Sequence, residues 1–526
     1  MKKIVALINI DYQQNVVIDN LGLGSIASFL RMKAVEVDLI NLPKEVIGSD
    51  LNGFNFNGYD IIGFSLFAEN ADLVYETATY LKQKHQSVLI VVGGHLATDA
   101  YNFILKDCSA IDCVVLGDGE KPLLDIVNSF RMHGSVDGLA SVVTRTDTSL
   151  KHPAIIDIMD IDWPARDNLV ASFHNNNVSA RITSSRGCCG SCSFCSVGTG
   201  YRKQWVGRNM TDVFLEITSL YELYGIRCFM FNDGSFEDPG DLGKERIRQL
   251  CDLLLEYPTR FSFHCFLKAE SFSQIDINLI RLMKSAGFIQ VFIGFESQNQ
   301  ADLKLYHKRA TTEDNIRANR LFTENGIRVV VGFIMLNPFS TEETLMLNYE
   351  FLSEIHSYYI RDYICKLAVY YNTRIYHELE AQHLLGDDYS YRTPEKYKFV
   401  NPLCETISIF INEFFETTDF CDEEYIANVS LMDSLFLLYP EEMEPYFQRY
   451  NVLLDSIAQV LSKYFRILYI DHDMDLSKKT FEGFKGELIG LHKRVKNLTL
   501  RAISNPVIMD FVTAPQQSLD IVPLLQ

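Results

Sequence analysis

From residue 4 to about residue 132, short apolar runs alternate with stretches whose hydrophobic positions recur at helical spacing. The runs read IVALINI, VEVDLINL, IIGFSLF, LIVVGG and CVVLGD, and residues 20–32, 71–83, 97–105 and 121–132 carry the helical pattern. Continuous Val/Ile/Leu runs between amphipathic helices predict a parallel sheet covered on both faces, a doubly wound, Rossmann-like α/β domain. Residues 136–175 break the rhythm with LASVVTRT and IDIMDIDWPARDN, which predicts a linker packed across two domains. A second β/α series starts near Val178 and runs through RITSS, RCFMFND, FSFHCFLKA, FIQVFIGFES, IRVVVGFIML and YICKLAVYYN. Amphipathic segments such as MTDVFLEITSLYELYG fill the gaps, so a partial (β/α)6 barrel is expected, with its chemistry at the C-terminal ends of the strands. After about residue 386, runs such as MEPYFQRYNVLLDSIAQVLSKYF predict a mostly helical C-terminal domain. The expected division is 1–135, linker 136–175, barrel 176–385 and helical region 386–526.

Composition narrows the function classes. The 526 residues are 47% hydrophobic and 22% charged, ordinary globular values. The opening MKKIVALINIDYQQ turns polar at Asp11, where a signal peptide stays apolar, and no run is long enough to span a membrane. A cytoplasmic location is expected. A formal charge of −20 repels a phosphate backbone, and the one basic segment, His492 to Arg501, reads as a solvated helix face, so no nucleic-acid partner is expected. Of the 12 cysteines, Cys108, Cys113, Cys228, Cys251, Cys265, Cys365, Cys404 and Cys421 are scattered and read as structural thiols.

The remaining cysteines crowd into SSRGCCGSCSFCSVG, residues 184–198, where Cys188, Cys192 and Cys195 form C-x₃-C-x₂-C directly after a strand. Three thiolates in one loop suit three irons of a [4Fe–4S] cluster and leave the fourth iron open to a small molecule. The alternative is a zinc site or buried thiols, although zinc favours a fourth ligand at matching spacing, and no obvious one is present. Cys189 occupies a spacer position.

With Phe194 just before the last cysteine, this loop resembles the radical S-adenosylmethionine (SAM) superfamily. The resemblance implies that SAM chelates the open iron and that an electron from the cluster cleaves it to a 5′-deoxyadenosyl radical. The barrel segments follow in order. FMFNDGSFEDP places Asn232, Asp233 and Gly234 where the family surrounds SAM's amino end, although a Gly-Gly-Glu is absent. FIGFESQNQADL implies that Glu296 and Ser297 face the SAM pocket, with a structural strand-end and helix-capping role as the alternative. Lys268 in LKAES stands where relatives carry a basic residue, as a SAM carboxylate partner or an ordinary surface lysine. FIMLNPFSTEETL, with Asn337 and Phe339 replacing glycines, supports the fold rather than a site.

The front domain resembles the cobalamin-binding domain that precedes many radical SAM barrels, through NLGLGSIASFLR, YDIIGFSLFAENA, VVGGHLATDA and CVVLGDGEKPL. Ser65, Gly93, Gly94 and Gly117 to Glu120 end neighbouring strands at one sheet edge, where bare backbone allows close approach of a cofactor. Glycine-ended strands also occur in domains that bind nucleotides or nothing. Gly22-Leu23-Gly24 lies inside a helix pattern, which disfavours NAD. Asp11 to Val16 has Gln13 where the D-x-H-x-x-G motif supplies an axial histidine, and His95 reads as solvent-facing.

Both resemblances together imply cobalamin-dependent C-methylation of an unactivated carbon in a small molecule, with a second SAM remethylating cobalamin and an external electron donor such as flavodoxin or ferredoxin. The alternatives are radical dehydration, ring rearrangement, cyclisation or epimerisation without methyl transfer, and a cobalamin- or SAM-binding regulator. No cysteine-rich array for auxiliary clusters follows the barrel. Aromatic residues at helical spacing beyond it, among them Tyr370, Tyr371, Phe410 and Phe414, read mainly as core.

Overall fold

The computed structural model describes residues 5–11, 20–47, 51–147, 149, 151–167, 169, 179–202, 204–416 and 422–509. Gln13 and Cys421 therefore lie outside the described residues. The first sheet contains β1 (Val5–Asp11), β2 (Val37–Pro43), β3 (Ile61–Ser65), β4 (Leu89–Gly93), β5 (Cys113–Val115) and β6 (Val142–Thr144), in the spatial order β2-β1-β3-β4-β5-β6. Every neighbouring pair is parallel except β5 with β6. Helices α1 (Leu21–Met32), α2 (Ala71–Lys84), α3 (His95–Asp107) and α4 (Glu120–His133) connect the strands. Alternate side chains of each strand feed two cores, one under α1 and α4 and the other under α2 and α3. Burial on both faces is why these strands read as unbroken apolar runs. The strand order reverses direction between β1 and β3, and in such sheets ligands lie outside the strand ends at that point.

The segment after β6 crosses to the second sheet. The Ala165 amide donates to the Gly24 carbonyl of α1 at 2.9 Å, and the Trp163 indole donates to Asp212 at 2.9 Å. That close pass needs a glycine, because a Cβ on Gly24 would sit 2.6 Å from the Ala165 carbonyl oxygen.

The second sheet is parallel, in the order β13-β12-β11-β10-β7, from β7 (Ser179–Ile182), β10 (Cys228–Phe231), β11 (Ser262–Lys268), β12 (Phe288–Glu296) and β13 (Arg328–Phe333). A short ribbon of β8 (Ser185–Arg186) and β9 (Val206–Gly207) lies beside it. Around the sheet run α5 (Ser196–Thr199), α6 (Met210–Tyr224), α7 (Asp241–Glu256), α8 (Ile277–Ala286), α9 (Gln300–Leu305), α10 (Thr312–Glu324) and α11 (Glu342–Glu354). The sixth strand expected in YICKLAVYYN is reduced to one parallel bridge, Leu336 with Lys366, preceded by the short helix α12 (Ile360–Ile364). The ladder stops because the Val369 amide turns away to the Pro394 carbonyl at 2.8 Å.

Beyond α13 (Arg374–Ala381), residues 386–400 return to the first domain, where Tyr391 is buried in its core and donates to Asp107 at 2.8 Å. Helices α14 (Pro402–Ile411), α15 (Asp422–Leu438), α16 (Pro440–Tyr469) and α17 (Met474–Ile503) then form the helical region. These helices share one continuous core with the barrel instead of enclosing their own. Phe410 is part of that core, and His492 of the basic segment is also turned inward, stacked on Tyr425 with centroids 4.0 Å apart.

Gly287 between α8 and β12 has φ +106°, and a Cβ there would fall 2.0 Å from the Phe261 carbonyl oxygen. Gly287→Ala is expected to cost about 2 kcal/mol or more, from left-handed strain plus backbone displacement. Urea denaturation followed by circular dichroism checks it.

Candidate functional site

The cysteine loop is held in place by its neighbours. Gly187, at φ +88°, opens it where a Cβ would lie 2.5 Å from the Gln204 carbonyl oxygen. Asp233, buried below the loop, accepts hydrogen bonds from the Ser184 hydroxyl at 2.9 Å and from the Ser185 hydroxyl. Ser193 donates its hydroxyl to the Leu305 carbonyl at 2.8 Å and its amide to the Tyr306 carbonyl at 2.9 Å. Asp238 accepts the Cys189 amide at 2.9 Å. Cys188, Cys192 and Cys195 are half-buried, free of disulfides, and near enough for Cys195 to perturb both others. Burial pushes the Cys188 thiol up to about 12 and the Cys192 thiol up to about 11. Burial thus disfavours the thiolate forms of Cys188 and Cys192, a cost that the positive charge of a metal centre offsets on ligation. Among the described residues no three His, Cys, Asp or Glu side chains converge on a single-ion site.

The other expected barrel residues fall into distinct environments. Asn232 and Gly234 border a cavity facing the loop, and a Cβ on Gly234 would lie 3.3 Å from Cys188 Cβ. Asp233 is instead spent on the serines beneath the loop, 3% exposed, with burial raising its carboxyl. Lys268 is ion-paired to Asp238, with Glu237 3.9 Å away, so it is not an ordinary surface lysine. Glu296 ends β12 in a left-handed conformation, φ +64°, and its carboxylate folds back above Gly294 to meet Lys308 Nζ at 3.2 Å. A Cβ on Gly294 would lie 2.5 Å from that carboxylate oxygen, which is the physical reason for glycine two residues before the glutamate.

Ser297, expected to face the SAM pocket, is fully buried with its hydroxyl bonded to Asp302 at 2.9 Å and Asn348 at 3.0 Å. Its position just past the strand end turns the side chain into the barrel wall. Phe194 packs edge-on against Tyr306, centroids 5.6 Å apart, and Asn337 closes the same wall by donating to the Tyr306 hydroxyl oxygen at 2.9 Å.

One cavity of about 570 Å³ joins the two sheets. The first domain contributes Ser65, Gly93, Gly94, Gly117 and Glu120; the barrel contributes Asn232, Gly234 and Gly187. A Cβ on Gly93 would make only an ordinary 3.7 Å contact with Val115, so the bare Cα serves the cavity side. Glu120 does line the cavity, but its carboxylate is committed to Ser25 at 2.7 Å and Arg186 at 2.6 Å. Asp118 pairs with Arg202 and lies 3.8 Å from Arg186. It also accepts the Ile156 amide at 2.8 Å and the Tyr201 hydroxyl at 3.1 Å. His95, expected in solvent, lines the cavity 5.5 Å from the Tyr201 ring, and burial beside Arg202 lowers its pKa.

Sequence reading missed Arg186, Arg202 and Lys308, and it placed Asp118 at the sheet edge without its ion pair. Arg186, directly before the loop glycine, offered a signal by position; partners 66 and 84 positions away in sequence offered none.

Residues 15–127 match the family model of the B12 binding domain, and residues 182–352 match that of the radical SAM superfamily. The chain belongs to the radical SAM enzymes that carry a cobalamin-binding domain. This enzyme is 24% identical over 373 residues, 69% of its length and 79% of the other's, to an uncharacterized methyltransferase, PH0819, of Pyrococcus horikoshii. It is 25% identical over 396 residues, 72% of its length and 67% of the other's, to the anaerobic magnesium-protoporphyrin IX monomethyl ester cyclase of Rubrivivax gelatinosus. With the hopanoid C-3 methylase of Methylococcus capsulatus it shares 24% identity over 327 residues, 60% of its length and 61% of the other's. Its fold is similar to that of the cobalamin-dependent SAM radical enzyme OxsB with aqua-cobalamin and SAM bound, with a TM-score of 0.67 at 17% identity. That likeness covers 98% of this chain and 84% of OxsB. The cofactors of the enzyme are a [4Fe–4S] cluster, SAM and cobalamin. Its residues fit them: three cysteines outside any disulfide share one half-buried loop beside Gly234, and a glycine-floored cavity lies at the switch point of the first sheet.

Arg186→Met leaves Glu120, 2% exposed in its side chain, without its counter-charge. Breaking a buried pair from one side costs about 3–5 kcal/mol. The expected outcome is earlier cleavage between residues 145 and 180 in limited proteolysis, with the iron content of the reconstituted enzyme retained.

Proposed function

We propose that the enzyme transfers a methyl group to an unactivated carbon of a small molecule, in the cavity where the two sheets meet. The observation that carries this reading is the shared cavity itself, bordered at once by the strand ends of the first domain and by Asn232 and Gly234 of the barrel. When bound, the cluster, SAM and cobalamin supply the radical and the methyl carrier. The chain's own residues hold and orient. Cys188, Cys192 and Cys195 are the cluster ligands in this reading, and Asn232 and Gly234 the neighbours of SAM. The Lys268–Asp238 and Lys308–Glu296 pairs set the charge on either side of the loop. Ser65, Gly93, Gly94 and Gly117 seat cobalamin on bare backbone, and the buried arginine–carboxylate network keeps the two halves in register while excluding water.

The naming of PH0819 and of the hopanoid C-3 methylase as methyl-transferring proteins supports this reading. The Rubrivivax relative, named a cyclase, favours the second one, a radical cyclisation or rearrangement without methyl transfer. The proposal includes residues 1–135 as the cobalamin unit, 176–385 as the barrel and 386–526 as its helical closure, an external electron donor such as flavodoxin or ferredoxin, and a cytoplasmic location.

Anaerobic reconstitution with iron, sulfide and hydroxocobalamin is expected to give about four irons and one cobalt per chain. Replacing Cys188, Cys192 and Cys195 by Ala together is expected to abolish the iron while the cobalt stays. SAM with a deuterated methyl group, supplied with a reductant and a small-molecule extract of the native host, should yield a product carrying the label. A deuterium-free product formed with 5′-deoxyadenosine would replace the methyl reading with the second one.

A further inference from the structure

The ends of β10, β11 and β12 bring Asp233, Glu237, Asp238, Glu270 and Glu296 to the surroundings of the cysteine loop, and all but one of these carboxylates are satisfied within the chain. Asp233 accepts from the Ser184 and Ser185 hydroxyls, and Asp238 pairs with Lys268 and accepts the Cys189 amide. Glu237 accepts from the Ser235 hydroxyl at 2.7 Å, the Ser271 hydroxyl at 2.6 Å and the Lys268 amide at 3.2 Å. Glu296 holds Lys308 at 3.2 Å. Glu270 differs. Its Oε2 is buried, and among the described residues it meets neither a hydrogen-bond donor nor a cation within ion-pair distance.

Glu270 lies in the turn Ala269–Ser271 that follows β11, at the C-terminal end of the barrel strands, and its charge reaches both Cys192 and Lys308. Chemistry in such barrels sits at this end. Lys308 gives its close contact to Glu296, so it moderates the charge of Glu270 from a distance without supplying a hydrogen bond. A carboxylate oxygen taken out of water without a donor is costly, and a buried polar atom left in that condition calls for a partner from outside the chain.

The chemistry of SAM narrows what that partner is. Its amino-acid end supplies the atoms that chelate the open iron, and its sulfonium carries no hydrogen to donate. The nearest donors beyond the sulfonium are the two vicinal hydroxyls of the ribose, and two adjacent O–H groups match the two oxygens of a carboxylate, as where an acidic side chain holds the ribose of a dinucleotide. We propose that Glu270 binds the ribose hydroxyls of SAM. The assignment rests on the reading in which Cys188, Cys192 and Cys195 hold the cluster with SAM beside them.

Equilibrium dialysis of labelled SAM against the anaerobically reconstituted full-length enzyme tests it, with the 2′-deoxy and 3′-deoxy analogues of SAM as competitors. Iron content and thermal melts, recorded for every variant, keep loss of the cluster or of the fold apart from loss of binding. Glu270→Ala is expected to weaken SAM about tenfold with its iron retained, and Glu270→Gln, which keeps the shape and one acceptor oxygen, is expected to weaken it less. The parent enzyme is expected to bind at least one deoxy analogue about tenfold more weakly than SAM, whereas Glu270→Ala binds that analogue and SAM alike. SAM affinity unchanged in both variants, or hydroxyl discrimination that survives Glu270→Ala, overturns the proposal and leaves the cluster reading in place. So does a parent enzyme that binds SAM and both analogues equally, a result that needs no variant to fold and that leaves the carboxylate acting through charge on the sulfonium. A parent enzyme that holds iron but binds no SAM sinks the reading and the proposal together.

Discussion

Two arginines and two carboxylates, buried where the sheets meet, hold the geometry on which the rest of the enzyme depends. Arg186 and Arg202 come from the two flanks of the cysteine loop, and Asp118 and Glu120 from the turn after β5. Charges this far from water need matching partners, and the Ser25 and Tyr201 hydroxyls and the Ile156 amide add hydrogen bonds to the two carboxylates, although Arg202 Nε and Nη1 stay without a partner among the described residues. The pairs tie the two flanks of the cysteine loop to the glycine-rich edge of the first sheet. At the other side of the interface, Tyr391 in the first core and Arg392 paired with Asp72 add a second attachment, so the first domain is held at two separated places. Two attachments oppose rotation as well as separation, and a cavity shared by two domains has a defined shape only when both are suppressed.

The barrel side uses a different device. Gly294 and Glu296 sit two residues apart on one face of β12, and the left-handed turn at Glu296 brings its carboxylate back over the missing side chain. Lys308, from the loop after α9, reaches the same place. The result is a paired charge beside Cys192, balanced by the Lys268–Asp238 pair near Cys188. The cysteine loop thus sits between two ion pairs that are partly shielded from water, where electrostatic effects fall off less steeply than at the surface.

The helical region does more than cap the barrel. Because α14 to α17 share its core, the apolar exterior of the barrel helices is buried within one chain.

The sequence by itself determined the two α/β units, the cysteine loop and the glycine-ended strand edge. Each is local: unbroken Val/Ile/Leu runs encode two-sided burial, C-x₃-C-x₂-C places three thiols in one loop, and a glycine at a strand end exposes backbone wherever the strand ends up. Tertiary structure decided what long-range contacts control. Ser297 looked like a pocket residue from its place after Glu296, but Asp302 and Asn348 draw its hydroxyl into the wall. Asp233 and Glu120 sit at the expected strand ends, yet their carboxylates are taken by serines and by Arg186. His95 faces the cavity because the barrel's Tyr201 stands opposite it. The sixth strand lapses because Pro394 captures the Val369 amide. Apart from Asp302, five residues after Ser297, the deciding partners are distant along the chain, and hydrophobic periodicity and motif spacing carry no record of which distant polar group a side chain will meet once the chain is folded.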